Sequence, residues 1–336
     1  MKSEKLAPSS ASSGPSSHIY FSQRLRLHYV DWGNPDGPPM LLIHGGRDHC
    51  RNWDWVAEHF AKDYHIIAPD LRGHGDSQWE ASGNYTQISY VYDIAQLLQQ
   101  KNMHDVTVIG HSLGGAIALM YTALFPERVK KLVAIEGMGP SPSLAAKQAE
   151  ISINDRVRSW VDDMRKLSGR LPRRYDTLDD AFKRMRDENP HLSEEQARHL
   201  TLHGANQNED GTYSWKFDNY VRVFSMSGLP NEEVKTLHGA NQNEDGTYSW
   251  KFDNYVRVFS MSGLPNEEVK KMYGEISCPT LLMRGEESWA SDPVADGRTQ
   301  CFNCPIEYQS FANAGHWVHH DQLDGFVDRV SEFLGK

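Results

Sequence analysis

The chain has 336 residues, of which 39% are hydrophobic, and it carries a formal net charge of -10. This length and composition suit one large globular domain with an insertion, or two domains. The acidic balance argues against binding to nucleic acid or to an anionic membrane surface. No apolar run approaches the ~18 residues that a transmembrane helix needs.

Residues 1–17 are rich in Ser, Ala, Pro and Gly and contain no apolar core, which indicates a disordered leader rather than a secretory signal peptide. The four cysteines are too few for a disulfide scaffold and suit a reducing compartment, so we expect a cytoplasmic protein. Cys301 and Cys304 form a C-x-x-C pair without a second pair or a suitably spaced histidine. We interpret them as two ordinary thiols rather than as a zinc or redox site.

Strands and helices are predicted to alternate along the first part of the chain. The predicted elements are a β-hairpin over 19–31, strands over 40–44, 65–69, 106–109 and 131–135, and helices over 52–62, 86–101 and 113–124. Such alternation predicts a doubly wound parallel sheet with ligands at the carboxyl ends of its strands. Asp70, Arg72 and His74 fall at one such end, where we expect a structural, hydrogen-bonded loop.

The segment Gly-His-Ser-Leu-Gly-Gly at 110–115 lies between a β-branched strand and an apolar helix. This placement puts Ser112 on a strand-to-helix turn, and the flanking glycines allow the sharp bend that would project its hydroxyl above the sheet. The pattern is typical of a nucleophile elbow. An N-cap serine is the alternative interpretation, because serine is common at that position without any chemistry.

Residues 141–274 are charged and predicted to be helical, which indicates an insertion between two sheet strands. Trp160, Met164 and Leu167 form one amphipathic patch, a helix start is predicted at Thr177, and residues 193–196 match a capping box. After the insertion, residues 279–284 and 306–311 return to strands. The turn Asn-Ala-Gly at 313–315 precedes His316, and an amphipathic helix over 326–334 ends the chain.

Residues 201–235 recur without a substitution as residues 236–270. Two copies do not make a solenoid, which needs at least ~3 repeats, so the identity indicates a very recent tandem duplication or an error in the assembly of the gene. Only one copy is expected to occupy the place between the insertion and the sheet. The other copy would loop out and expose aromatic side chains. The sequence does not indicate which copy is which.

Four segments together, 41–46, 68–77, 110–115 and 313–318, resemble the α/β-hydrolase superfamily, in particular its capped esterase- and epoxide-hydrolase-like and serine hydrolase-like branch. The resemblance is close over 18–140 and 275–336 and loose between them. It implies an α/β-hydrolase core formed by 18–140 and 275–336, with a helical cap over 141–274 that contains the duplication. Such caps cover the mouth of the active site and influence substrate choice.

The same resemblance implies a catalytic Ser112 with His316 as its base, because a serine hydroxyl is a poor nucleophile until an imidazole takes its proton. The backbone N–H groups of Gly46 and Leu113 are expected to form the oxyanion hole. His44 and His111 are expected to pack beside the pocket. His319 and His320 are expected to be solvated or structural.

The position of the triad acid departs from the commonest pattern of the family. Members usually carry Asp at the fourth position of a Gly-x-x-Asp turn after the seventh strand, and here that position is Ser288. Glu136, at the end of the strand that follows the nucleophile helix, is the favoured acid, since one branch of the superfamily takes its acid from there. Asp292 is the alternative. A third interpretation is that Glu136 merely caps a loop.

Serine rather than aspartate at the elbow indicates acyl transfer through an acyl-enzyme. We therefore expect a serine hydrolase, most simply a carboxylic ester hydrolase acting on a small or medium substrate, with no metal or organic cofactor. A carbon–carbon bond hydrolase would use the same residues on a diketone-like substrate. A ligand-binding protein that keeps the fold without catalysis is the alternative outside the enzymes. The oligomeric state is left open.

Overall fold

The computed structural model describes residues 14–83, 85–168, 172–222, 240–242, 248–250 and 266–336. The strands are β1 Ser16–Ser22, β2 Leu25–Asp31, β3 Pro39–Ile43, β4 His65–Pro69, β5 Val106–His111, β6 Val129–Ile135, β7 Ala205–Gln207, β8 Tyr213–Trp215, β9 Ala240–Gln242, β10 Tyr248–Trp250, β11 Thr280–Gly285 and β12 Ile306–Phe311. The helices are α1 Asp54–Phe60, α2 Gln87–Gln100, α3 Leu113–Leu124, α4 Pro142–Glu150, α5 Ile153–Leu167, α6 Leu178–Glu188, α7 Glu194–Gly204, α8 Asn266–Tyr273, α9 Val318–Asp321 and α10 Leu323–Leu334. None of the helices in the described ranges combines the length and the apolar character needed to cross a membrane.

Eight strands form the central sheet in the order β1-β2-β4-β3-β5-β6-β11-β12. The six strands from β4 to β12 are parallel, whereas β1 and β2 add an antiparallel edge. The predicted doubly wound, mostly parallel sheet is therefore confirmed. Because the carboxyl ends of the parallel strands meet at one edge, the segments that follow β3, β5, β6, β11 and β12 come together there.

The sheet is covered by apolar packing on both faces, as expected for parallel strands. Along β3, Leu41 and Ile43 belong to the cluster that packs with α2 and α3, whereas Met40 and Leu42 belong to the cluster that packs with α1 and α10. Consecutive side chains of a strand point to opposite faces, so an uninterrupted apolar run serves both layers. These two layers hold the strand ends in a fixed arrangement.

The predicted N-terminal hairpin is confirmed, but it begins earlier than expected. β1 starts at Ser16, so the last two residues of the predicted leader over 1–17 belong to the sheet. The leader prediction is wrong there because Ser17 pairs with Val30 and its hydroxyl contacts His28 Nε2 at 2.7 Å, which a composition rule does not capture. Residues 1–13 lie outside the described residues.

The loop that follows β4 has the structural role that its sequence predicted. Asp70 accepts hydrogen bonds from the N–H groups of Cys50 at 2.7 Å and Asp76 at 2.9 Å. The Arg72 guanidinium forms a bidentate pair with the buried Asp93 at 2.6 and 2.7 Å. These charge-assisted bonds connect the loop to α2 and to the segment after β3.

The insertion between β6 and β11 contains the helices α4 to α7. Thr177 caps α6, and Ser193 and Gln196 form the predicted capping box of α7. The insertion also holds the antiparallel pair of β7 and β8, which the sequence did not predict. Strands of three residues are too short to show a period of two, so their detection depends on the pairing itself.

The first copy of the duplicated segment packs directly on the core. The N–H of Asp218 donates to the carbonyl of Gly73 at 2.9 Å, its carboxylate accepts from the Tyr85 hydroxyl at 2.7 Å, and Lys216 pairs with Asp76 at 2.8 Å. In the second copy, β9 and β10 repeat the register of β7 and β8. Most of the second copy, and with it the predicted looping out and exposure of aromatic residues, lies outside the described residues.

Candidate active site

Ser112 lies on the turn from β5 to α3 in a strained backbone conformation, with φ of 52° and ψ of -114°. Such values are rare for residues other than glycine and often mark functional sites. The turn is fixed because the Ser112 N–H donates to the carbonyl of Ile135 at 2.8 Å and its carbonyl accepts from Ala116 at 3.0 Å. Its side chain makes no capping hydrogen bond to α3, so the structure does not support the N-cap interpretation.

The elbow can form because the backbones around it approach very closely. A Cβ atom added to Gly114 would lie 2.2 Å from the carbonyl oxygen of Ile43, and one added to Gly110 would lie 2.3 Å from that of Gly114. Real Cβ contacts are essentially never that short, so only glycine fits at both positions. The glycine spacing therefore brings β3, β5 and the start of α3 into contact.

His316 lies on the loop after β12, at the same edge of the sheet as Ser112. Its backbone carbonyl accepts a hydrogen bond from His111 Nε2 at 2.8 Å, and the two imidazole rings are 4.7 Å apart. The loop is also held by Asp321, whose carboxylate accepts from the N–H of Gly315 at 2.8 Å. The base predicted from the sequence thus lies beside the neighbour of Ser112 in the chain.

Glu136 is the carboxylate that contacts His316. Its side chain is fully buried, and its Oε2 forms a very short contact with His316 Nδ1. The same Oε2 accepts from the Ser288 hydroxyl at 2.6 Å, and Oε1 accepts from the N–H of Gly285 at 2.9 Å. A buried carboxylate needs such donors to remain charged. A mere loop cap would not account for its contact with an imidazole.

Asp292, the alternative acid, has different partners. Its Oδ1 accepts from the N–H groups of Val294 at 2.8 Å and Ala295 at 3.2 Å, which stabilises the turn that Asp292 begins. These two hydrogen bonds lie within its own loop, and the side chains that interact with this carboxylate are Tyr308 and Arg284. The structure brings Glu136, and not Asp292, to His316.

Gly46 and Leu113, the predicted oxyanion donors, are neighbours at the elbow. A Cβ atom added to Gly46 would lie 3.9 Å from the Leu113 Cβ, and one added to Gly45 would lie 3.5 Å from the Ser112 Cβ. Within the described residues, neither the Gly46 nor the Leu113 N–H has a protein acceptor. Two backbone donors thus lie beside Ser112 without an internal partner, as an oxyanion hole requires.

Four buried histidines lie at the carboxyl-end edge of the sheet, near Ser112 and His316: His44, His111, His319 and His320. His44 and His111 are buried, in keeping with the predicted packing role. His319 and His320 were expected to be solvated or structural, and the structure supports the structural alternative, because both are buried. His319 Nε2 contacts Asn52 Oδ1 at 2.6 Å and its ring stacks on Trp53. Burial lowers the pKa of His320 to about 3, which keeps it neutral.

Sequence reasoning missed three features around the triad. Ser288 was noted only as a missing aspartate, although its position in the Gly-x-x-Asp turn could have indicated a contact with the acid. Trp289 is 80% exposed, yet its ring lies 4.8 Å from that of His316, at the entrance to the site. Asn52 connects His319 to Asp48, and burial raises the pKa of Asp48 to about 8.

Two clusters of potential metal ligands occur among the described residues, one formed by His28, Cys50 and Asp70 and one formed by Asp54, His199 and His203. In the first cluster Asp70 is already occupied by hydrogen-bond donors. In the second, the Arg51 guanidinium bonds to both oxygens of Asp54 at 2.6 to 2.9 Å. Neither cluster lies in the elbow itself.

The predicted cap lies close to His316. Leu192, Ala197 and Leu200 form a small apolar cluster that packs against Trp317, the residue after the base. Gln196 of α7 donates to the carbonyl of His320 at 3.0 Å, and His49 contacts the carbonyl of Leu200 at 3.0 Å. Helix α7 therefore borders the site, and α6 packs against α7.

A family model described as the alpha/beta hydrolase fold matches residues 38–323. The chain belongs to the alpha/beta hydrolase fold family. Solved structures agree with this assignment at the level of the fold. The thioesterase domain from the curacin biosynthetic pathway has a TM-score of 0.71 at 20% identity and covers 95% of this chain and 99% of that one. An E-2-(acetamidomethylene)succinate hydrolase has a TM-score of 0.69 at 18% identity, covering 96% and 100%.

Curated relatives in this alpha/beta hydrolase family match parts of the chain. A probable serine hydrolase of Drosophila melanogaster is 36% identical over 121 residues, 35% of this chain and 37% of that protein. A serine hydrolase-like protein of Danio rerio is 29% identical over 191 residues, 56% and 57%. Epoxide hydrolase 4 of Mus musculus is 35% identical over 118 residues, 35% and 33%. The chain thus spans between about a third and three fifths of these relatives, and they support a hydrolase.

Proposed function

We propose that this chain is a serine hydrolase that acts through an acyl-enzyme, with carboxylic esters of small or medium size as its substrates. One observation carries the proposal: a fully buried Glu136 contacts His316 Nδ1, and the carbonyl of His316 accepts from His111, the residue before Ser112 on its strained turn. A carboxylate on the far nitrogen of an imidazole fixes its tautomer and stabilises its charged form. This arrangement leaves His316 Nε2 to act as the base.

In the proposed reaction, His316 Nε2 takes the proton of the Ser112 hydroxyl while the oxygen attacks the ester carbonyl. The N–H groups of Gly46 and Leu113 stabilise the oxyanion of the tetrahedral intermediate. The carbon–oxygen bond to the alcohol then breaks, and the alcohol leaves with the proton from His316. Water, deprotonated by His316, then attacks the carbonyl of the acyl-enzyme. The bond to Ser112 Oγ breaks as His316 returns the proton to the serine, and the carboxylic acid product leaves.

Serine at the elbow supports acyl transfer rather than the opening of an epoxide by an aspartate nucleophile. The Drosophila and zebrafish relatives carry names of serine hydrolase type, in line with this choice. The apolar cluster of α7 packs against Trp317, and the exposed Trp289 ring lies beside His316, which supports a substrate with an apolar group. We propose the ester class on these grounds.

The proposal is tested by covalent labelling with a fluorophosphonate probe together with hydrolysis of p-nitrophenyl acetate and butyrate. Ser112→Ala is expected to abolish labelling and to lower turnover by up to roughly a millionfold, as where a triad acts as a unit. Ser310→Ala, which removes a serine hydroxyl in β12, is the matched control and should label like the parent. Well-folded protein that neither labels nor turns over esters would contradict the proposal and favour a ligand-binding protein.

A further inference from the structure

Ser288 closes the turn that follows β11, with its N–H donating to the carbonyl of Gly285 at 3.2 Å. Its hydroxyl oxygen accepts a hydrogen bond from the N–H of Ala290 at 3.2 Å and lies 2.6 Å from Glu136 Oε2. Because the Ala290 N–H occupies a lone pair of this oxygen, the hydroxyl hydrogen is directed at Glu136. The serine is therefore a donor to the same carboxylate oxygen that contacts His316 Nδ1.

We propose that Ser288 is a positioning residue that orients Glu136 toward His316. The inference rests on the proposed function, since it assigns Glu136 and His316 their roles in the triad. It assigns Ser288, which stands where the family usually places its aspartate, a role of its own.

Two donors fix the orientation of the buried carboxylate. The N–H of Gly285 holds Oε1 at 2.9 Å and the Ser288 hydroxyl holds Oε2, so rotation about the last side-chain bond of Glu136 would break both bonds. Hydrogen bonds to an ionised group are about twice as strong as neutral ones. With Oε2 fixed, its remaining acceptor capacity is directed at the imidazole.

The turn that carries Ser288 is connected by its backbone to the loop that carries His316. Glu286 donates to the carbonyl of Phe311 and Glu287 donates to that of Ala314, both at 2.9 Å. A Cβ atom added to Gly285 would lie 2.1 Å from the carbonyl oxygen of Gly315, so the two segments are in direct contact. Ser288, Glu136 and His316 therefore keep a fixed relative position.

The chemistry of the site explains a hydroxyl rather than a carboxylate at position 288. A second carboxylate there would lie beside Glu136, and two carboxylates that close do not both ionise. A hydroxyl supplies a neutral donor instead.

The test replaces Ser288 by alanine in the full chain and follows hydrolysis of p-nitrophenyl acetate. The kcat is expected to fall by about 10-fold or more, the usual range for a lost hydrogen bond to a charged group, with KM little changed. The acid limb of the kcat/KM profile should move to lower pH, because a misoriented Glu136 stabilises the imidazolium less. Ser288→Thr, which keeps a hydroxyl, should restore both.

Ser310→Ala is the matched control, because Ser310 also donates to a carboxylate of this turn, that of the exposed Glu286 at 3.0 Å. It should leave kcat and the pH profile unchanged. A Ser288→Ala protein with parental kcat, or with an acid limb that is unmoved or shifted to higher pH, would overturn the positioning role.

Fluorophosphonate labelling separates a failure of this inference from a failure of the proposed function. If the parent is not labelled, or if Ser112→Ala still is, the proposed function itself fails. If the parent is labelled and Ser112→Ala is not, a Ser288→Ala protein with parental kcat and pH profile contradicts only the role of Ser288.

Discussion

The elbow and the acid end of the proposed triad lie at the same edge of one sheet, but they are encoded in different ways. The elbow is made by six consecutive residues, 110–115, and its strained turn and close glycine contacts are local. The acid end joins Glu136 to Gly285, Ser288 and His316, which follow it by 149, 152 and 180 residues. The first is a motif, whereas the second exists only after the sheet has formed.

This difference shows what kind of signal each part leaves in a sequence. A sharp turn needs particular residues at fixed spacing, so it can be recognised without the fold. A carboxylate partner needs only a position near the imidazole, and neighbouring strand ends ~5 Å apart offer more than one. The proposed acid, Glu136, can therefore follow β6 in this chain without any change at the elbow.

Among changes at the acid end, neutralising Glu136 should lower activity the most. Glu136→Gln keeps the shape but removes the charge that stabilises the imidazolium of His316, so we expect kcat for p-nitrophenyl esters to fall by about 10³- to 10⁴-fold. Asp292→Asn, the matched change at the alternative acid, should alter kcat little. The opposite ranking of the two variants would show that the contact between Glu136 and His316 is not the one used in catalysis.

A single added methyl group should destabilise the elbow. Gly114→Ala would place a Cβ 2.2 Å from the Ile43 carbonyl oxygen, and we expect the free energy of unfolding in urea to fall by about 3 kcal/mol. Gly325→Ala in α10 is the control, since its Cβ would meet Phe311 at an ordinary 3.5 Å. That variant should keep or slightly raise stability. Equal stability of the two would mean that the elbow tolerates a shift that the structure does not show.

The duplication offers the smallest but sharpest comparison, because the same 35 residues occur twice. Asp218→Ala removes the acceptor of the buried Tyr85 hydroxyl, whose oxygen still accepts from the N–H of Glu80, and this should lower the free energy of unfolding by about 1.5 kcal/mol. The identical change in the second copy, Asp253→Ala, is the control, and we expect it to leave the free energy of unfolding unchanged. A larger loss from Asp253→Ala would reverse the assignment of the copy that contacts the core.

Sequence predicted the features that depend on local pattern. The parallel sheet, most strand boundaries, the caps of α6 and α7 and the elbow all follow from periodicity or from fixed spacing. Glu136 was favoured as the acid because it ends an apolar strand, and the structure places it against His316. Its competition with Asp292 could not be decided beforehand, because that depends on which carboxylate the folded loops bring to the imidazole.

What the sequence did not predict depends on long-range contacts. Ser288 was interpreted as a missing aspartate, although its hydroxyl donates to Glu136, the proposed acid. The buried state of His319 depends on Asn52, 267 residues earlier in the chain. The pair of β7 and β8 has three residues in each strand, too few for a pattern. None of these features has a local signature of its own.

The account is tested most directly by isolating the acyl-enzyme. We would mix the protein with excess p-nitrophenyl acetate, quench it in acid within the first turnovers and determine the mass of the intact chain and of its peptides. The account predicts one added acetyl group, located on Ser112 and absent from Ser112→Ala. Steady hydrolysis without this adduct, or with the acetyl group only on another residue, would contradict the proposed mechanism.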